Sequence, residues 1–528
     1  MRNSSLYSTL PSMGRFRKPP RPSGTPPREG NPPAYGGMKN SPPSEGCPKG
    51  GVVSLPSIAV SEQVKYTRNG SFYEPFVAFS RLLLRLSLSP HRRMFIYFAL
   101  FLLGAILGAL VNDLTDRLGW EPKYRSPWRT LPAEFSARLK KPFRKTLFDF
   151  LPIVGWLSLR RINGSLADIP NEDRPAGLTS ETFWRRPFLV EILSALGFCL
   201  LYYWEVVRQG LLPPGLDAET PEIVCTRLAV HFFLLGMMLL ASLIDFDDMV
   251  IPESLTVFGT ILGLVLVAVF PNTLLPVTEI RGYNMSNYRP ILAQSAVSLT
   301  TVSPFVPKTD VSGYDSGVAV ACWCFFCFAM MPRVWYQQLP LRKASAIFCR
   351  YLIRSRATYF YLVVAVIGSA LIFATLNQTL YTGLVGMTVG MITIWCVRMT
   401  AHWALGREAM GFGDVTLMGM LGVYLGWQSM IVIFFLAAVL ALMIIFFAFL
   451  VTAALSSLHF ELELPFGPYL CLAALLTLVG WRTVWGVIGE ICELGGFIIG
   501  CILVICLGLF VMLLLIWRAI KRMLFASC

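Results

Sequence analysis

Long apolar runs decide what this chain can fold into. They recur at 94–111, 188–204, 226–244, 255–270, 359–376, 380–397, 427–455 and 490–517. A helix needs about 20 apolar residues to cross a bilayer, and most of these runs sit near that length. Backbone polar groups in hydrocarbon must be satisfied within their own segment, so such runs become helices. Shorter runs at 318–332, 415–426 and 469–484 are expected to be buried in the bundle or re-entrant. The runs predict an all-α fold, a polytopic membrane helix bundle of about eight to ten helices.

Composition agrees. Hydrophobic residues make up 55% of the 528 and charged ones 14%, where a soluble domain carries about 25% charge. That excludes an ordinary cytosolic enzyme. The net charge is +14, but the basic excess flanks the apolar runs, which points to membrane lipid rather than nucleic acid as the partner. The 13 cysteines lie mostly inside apolar runs, without the loop spacing of a disulfide framework. Even the tight group Cys322, Cys324 and Cys327 has no His, Asp or Glu beside it in its run, so it is read as packing and no metal is assigned.

Four regions follow. Residues 1–92 form a Pro/Arg-rich tail that cannot bury enough apolar surface to order itself; it is no secretory leader, because the first apolar run starts near Met94. Residues 93–225 form an N-terminal membrane region with a basic loop at 117–187. Residues 226–485 form a core with an insertion at 271–378, polar at 271–317, and residues 486–528 a C-terminal membrane helix. The basic loop is placed on the cytoplasmic side, since short basic loops outweigh long tails in setting orientation.

An ionisable group at membrane depth costs roughly 2.5–3.5 kcal/mol on insertion scales, so it is usually there for function. Two places stand out. Asp245 ends the run 226–244, ahead of Asp247, Asp248, Pro252 and Glu253. Asp247, Asp248 and Glu253 are read as solvated. Asp414 follows Gly411 and Gly413 just before another apolar run. These glycines free the backbone or allow a close helix contact there, and a helix starting at that point puts Asp414 near its positive end. Two carboxylates on different helix ends suggest an aspartyl protease, in which one acid stays protonated because like charges at close range do not both ionise. The ionised one takes a proton from water and the other donates to the scissile carbonyl oxygen.

Gly411-Phe-Gly413-Asp414, with Leu417, Gly419, Leu421-Gly422 and Leu425-Gly426-Trp427, resembles the GxGD segment of the prepilin (type IV leader) peptidases. Ile244-Asp245 with Pro252 is similar to that family's other aspartate segment. Leu464-Pro465-Phe466-Gly467-Pro468-Tyr469-Leu470 resembles its C-terminal signature. Asp149 to Arg160, then Arg186-Pro187 to Glu191, resembles its N-terminal half. The resemblance implies a multi-pass peptidase of the inner (cytoplasmic) membrane that removes the leader from prepilin or pseudopilin precursors. Asp245 and Asp414 would be catalytic, positioned by Gly411 and Gly413, with no cofactor for proteolysis. Many members also methylate the new N-terminus with S-adenosylmethionine. Bacterial members often hold zinc on two Cys-x-x-Cys pairs in the first loop, but residues 117–187 contain no cysteine, so no zinc is expected. Two rivals stay open: a presenilin-like intramembrane protease, and a transporter using the acids for ion coupling.

Overall fold

A computed structural model describes residues 90–120, 128, 147–160, 183–213, 219–270, 273–280, 297–300, 313–331, 341–405, 410–455, 465–493 and 496–525. The tail up to residue 89, read as unable to order itself, and most of the loop at 117–187 lie outside these residues. In chain order the helices are α1 (Pro90–Leu118), α2 (Val154–Leu159), α3 (Arg185–Tyr202), α4 (Pro221–Asp248), α5 (Glu253–Val269), α6 (Gly313–Met330), α7 (Leu341–Arg354), α8 (Arg356–Thr375), α9 (Gln378–Leu405), α10 (Phe412–Leu425), α11 (Trp427–Leu455), α12 (Gly467–Val479), α13 (Trp481–Glu493) and α14 (Gly496–Phe525). A turn of π-helix, Tyr203–Val207, extends α3.

The all-α membrane bundle expected from the apolar runs is what the structure has. Six helices among the described residues are long and apolar enough to cross a membrane, and a seventh span counts if α12 and α13, bent by 85° at Gly480, are taken as one. Helices α5 and α10 are apolar but shorter. In α10 every residue from Asp414 to Leu425 is buried, so this helix has no lipid-facing side. It is the centre of the bundle. Span α8 is the opposite case, with only 11% of its apolar window buried.

Close approach to α10 depends on small residues. A Cβ on Gly422 would lie 2.2 Å from the carbonyl oxygen of Gly386 on α9, so only glycine at this pair lets the two backbones touch. Polar side chains on the central helix find partners across it, as burial in hydrocarbon requires. Thr256 of α5 donates to Thr416 at 2.9 Å, and the Tyr424 hydroxyl donates to the Gly259 carbonyl at 2.8 Å.

The bundle has two distinguishable ends. At one, the amide of Trp120 donates to Asp248 at 2.9 Å and Arg186 pairs with Asp247, so the basic loop leaves from the end where α4 finishes. At the other, a part of the insertion folds as an antiparallel ribbon, β1 (Val277–Ile280) on β2 (Val297–Thr300), with Val277 opposite Thr300. The indoles of Trp481 and Trp485 tie α13 to it, donating to the Pro276 carbonyl at 2.7 Å and the Thr278 hydroxyl at 2.8 Å. Asn377 closes this end. Its side chain accepts from the Leu380 amide at the start of α9 and donates to the Ala268 carbonyl in the last turn of α5.

The bilayer region holds more ionisable groups than the two aspartate segments. Arg227 is 1% exposed and holds Glu219 with two bonds of 2.7 and 2.8 Å. His231 Nδ1 meets Glu205 at 2.7 Å, both fully buried. Each group is paired, which is how charge survives burial.

Candidate active site

Asp245 sits three residues before the end of α4. The helix stops because Met249 turns left-handed at φ 53° and its amide bonds back to the Asp245 carbonyl at 2.9 Å. Ile251 follows, and then Pro252 in extended conformation as the N-cap of α5. Asp245 therefore stands at the mouth of a helical hairpin.

Asp414 is the third residue of α10, whose N-cap is Gly411. Its carboxylate reaches back to the Gly411 backbone amide. That is one half of a capping box, which satisfies a donor that the first turn of a helix cannot. The positive end of α10 faces the same carboxylate. The sequence expectation for Asp414 at a helix start is met.

The fold brings the two aspartates together. Their carboxylates lie within electrostatic reach of one another, and both are nearly enclosed, at 5% and 7% exposure for Asp245 and Asp414. Cys471 of α12, also buried, lies within electrostatic reach of both. Arg398 of α9 stands 5.8 Å over the Phe412 ring and within electrostatic reach of Asp414.

Gly413 acts through space rather than through backbone freedom. Among the described glycines only Gly426 has positive φ, and Gly411 is ordinary extended backbone at φ −70°. A Cβ on Gly413 would lie 2.8 Å from the Ile251 Cβ and 2.9 Å from the Ile251 carbonyl oxygen. Of the two alternatives raised by the sequence, the close contact holds and the positive φ does not. Gly411 has open space, its nearest neighbour being an Asp414 oxygen at 3.7 Å from a would-be Cβ. It contributes its amide instead.

A third helix start completes the site. Gly467 is the first residue of α12, and its amide donates to Asp245 Oδ2 at 2.9 Å. A Cβ there would fall 2.6 Å from that oxygen and 2.8 Å from Ile251 Cδ1. Ile251, 4% exposed, is thus wedged between the glycine beside Asp414 and the glycine that bonds Asp245. Sequence reasoning quoted the segment containing Gly467 without giving it a role, and it missed Ile251. Only the position of Ile251 directly before Pro252 in a polar turn could have drawn attention to it.

Asp247 is not the solvated acid the sequence suggests, while Asp248 is only partly buried and Glu253 is exposed as expected. Asp247, with 7% of its side chain exposed, pairs with Arg186, and Asp248 accepts the Trp120 amide. Both bonds tie the hairpin of Asp245 to the first loop. In that loop Asp149 to Arg160 folds as a knot: a 3₁₀ turn, Leu147–Phe150, then Ile153 at φ 64°, then α2. The fully buried Glu191 of α3 holds it. One of its oxygens accepts from the Trp156 indole at 2.7 Å and from Asn112 at 3.3 Å, the other from the Ile153 amide. The two segments that resembled one N-terminal half in sequence meet at this carboxylate.

Comparison with known proteins points the same way. Residues 348–447 match the model of the type IV leader peptidase family. A prepilin leader peptidase/N-methyltransferase of Stutzerimonas stutzeri is 34% identical over 124 residues, 23% of this chain and 37% of that protein. Proteins of the same name from Aeromonas hydrophila and Pseudomonas aeruginosa are each 29% identical, over 102 and 115 residues; these cover 19% and 22% of this chain, and 32% and 35% of theirs. The chain thus aligns with about a third of the length of these relatives. No solved structure matches.

Proposed function

We propose that this protein is a leader peptidase of the prepilin type, in which Asp245 and Asp414 hydrolyse one peptide bond at the membrane face. The observation that carries the reading is the convergence of three helix ends on two carboxylates. The end of α4 supplies Asp245, the start of α10 supplies Asp414, and the start of α12 supplies the amide that holds Asp245.

Two carboxylates in mutual reach favour a state with one shared proton. The ionised partner accepts a proton from water, and the hydroxide so formed attacks the scissile carbonyl carbon. The protonated partner gives its proton to the carbonyl oxygen. Collapse of the tetrahedral intermediate breaks the carbon–nitrogen bond, and the amine leaves with the proton taken from water. The first Asp is then ionised again, and the second recovers a proton from the gem-diol as the acid product forms, which restores the starting state. Proteolysis needs no metal or cofactor in this scheme.

The site's position suits a precursor with a basic leader ahead of an apolar helix, cut where the helix leaves the membrane. The basic loop emerges at the aspartate end, which supports a cytoplasmic-face site in an inner membrane. Type IV prepilin-like or pseudopilin precursors have this form. Methyl transfer from S-adenosylmethionine stays with the relatives' names: among the described residues the polar groups of the first-loop knot, Glu191, Asn112 and Trp156, are spent on one another. An ion-coupled transporter or a presenilin-like protease gains no comparable support.

The test is incubation of the full chain, in lipid nanodiscs, with a prepilin precursor and mass measurement of the products. A single cut after the basic leader is expected, and it should vanish in Asp414→Asn. Cutting that persists in Asp414→Asn overturns the two-aspartate scheme.

A further inference from the structure

Helix α7 lies in the insertion and takes no part in the site. It has 14 residues, about 21 Å of helix at 1.5 Å per residue, and not one is acidic. Lys343, Arg350 and Arg354 recur at intervals of seven and four, so they share one face. Phe348 and Leu352, four apart, share the opposite face and are half-buried, while the three cations are exposed. Among the described residues these cations make no ion pair. The helix is therefore amphipathic, basic on one side and apolar on the other, the pattern of a helix lying in a membrane interface.

Its place in the chain fixes its depth. Ser355 is extended, at ψ 126°, and breaks α7 from α8. Span α8 begins at the next residue, the exposed Arg356. The Ser355 amide bonds the Tyr351 carbonyl at 3.0 Å, and the Tyr359 hydroxyl donates to the Ile353 carbonyl at 2.9 Å. The last turn of α7 is thus pinned to the first turn of a span that faces lipid along most of its length. An extended residue between them turns α7 off the axis of the span. It also fixes its side of the bilayer. Span α8 packs against α6 and ends at Leu376-Asn377, where Asn377 bonds Ala268; Tyr361 in its second turn lies within electrostatic reach of Glu253, so the start of α8 lies at the aspartate end.

We propose that α7 lies flat on the aspartate-bearing membrane face, with Lys343, Arg350 and Arg354 binding the headgroups of anionic phospholipids. The apolar face enters the acyl boundary and the cations meet phosphate. Charge complementarity selects the occupant: a neutral zwitterionic surface offers α7 only its apolar contact, whereas an anionic one engages all three cations and Arg356. The proposal does not depend on peptidase activity.

The experiment uses the full chain in two kinds of nanodisc, pure phosphatidylcholine and phosphatidylcholine mixed with phosphatidylglycerol. Amide deuterium exchange is read over residues 343–354, with α10 as the internal reference for an intact fold. Three cations near an anionic surface should slow exchange by about tenfold or more in the mixed discs relative to the neutral ones. High salt should erase that gain, and so should the combined variant Lys343→Gln, Arg350→Gln, Arg354→Gln, with α10 unchanged. Equal exchange in both discs overturns the proposal. So does equal protection of the triple variant, or protection in neutral discs by a short oligonucleotide, which would make α7 a site for another polyanion.

Discussion

Replacing Gly413 by alanine tests whether the two aspartates are set by packing. The new Cβ would fall 2.8 Å from the Ile251 Cβ, 2.9 Å from its carbonyl oxygen and 3.3 Å from its amide nitrogen. Carbon atoms pack at about 3.5–4.0 Å, so the gap must open by roughly 0.7–1.2 Å. Ile251 has nowhere to go. Its backbone is fixed between the left-handed Met249 and the N-cap Pro252, and its side chain abuts Gly467. The displacement therefore falls on the first turn of α10, which carries Asp414. Overpacking of this kind costs about 1–3 kcal/mol of stability. A misplacement near 1 Å in a catalytic geometry costs on the order of a hundredfold in rate. With a prepilin precursor and the full chain in nanodiscs, Gly413→Ala should lower kcat by about that factor and move KM only a few-fold, with thermal unfolding showing a folded protein. Gly197→Ala on α3 is the control, because a Cβ there meets nothing within 4 Å. Turnover of Gly413→Ala within twofold of the parent would refute the packing argument.

Three further outcomes follow from the same geometry. Asp245→Asn and Asp414→Asn should each abolish cleavage while the chain still inserts; measurable turnover in either, by product mass, counts against a shared-proton mechanism. Gly467→Ala should impair cleavage as severely as Gly413→Ala, because its Cβ would press on Asp245 Oδ2 itself; a normal kcat there would show that the bond to Asp245 is dispensable. Asp247→Asn should lower thermal stability by about 1 kcal/mol, since its partner Arg186 is a third exposed, and leave the residual kcat near that of the parent. A loss of kcat with unchanged stability would place Asp247 in the chemistry instead.

The membrane bundle and both aspartates were legible because each rests on a pattern confined to one stretch of chain. Apolar runs announce spans, and an acid beside paired glycines at the edge of such a run has few structural reasons to be there. What escaped was everything defined by contact between distant segments. The 222 positions separating Gly467 from Asp245 carry no periodicity that joins them, and Ile251 is an unremarkable aliphatic residue until two glycines close on it. Asp247 looks solvated in sequence because its partner Arg186 lies 61 positions upstream, at the end of a loop of basic residues among which nothing distinguishes it. The glycines show how far local reasoning reaches. Their presence marked the right turn, but the mechanism first suggested, a freed backbone, is absent at both: Gly411 gives an amide and Gly413 gives room. Both are needed for the same end. The carboxylate of Asp414 is held by its own helix cap, and the α4–α5 turn packs against Gly413 beside it. That same turn, through Ile251, presses on the glycine that binds Asp245. One apolar side chain thus sets the spacing of two acids on three helices, and a change of shape at Ile251 should be felt by both.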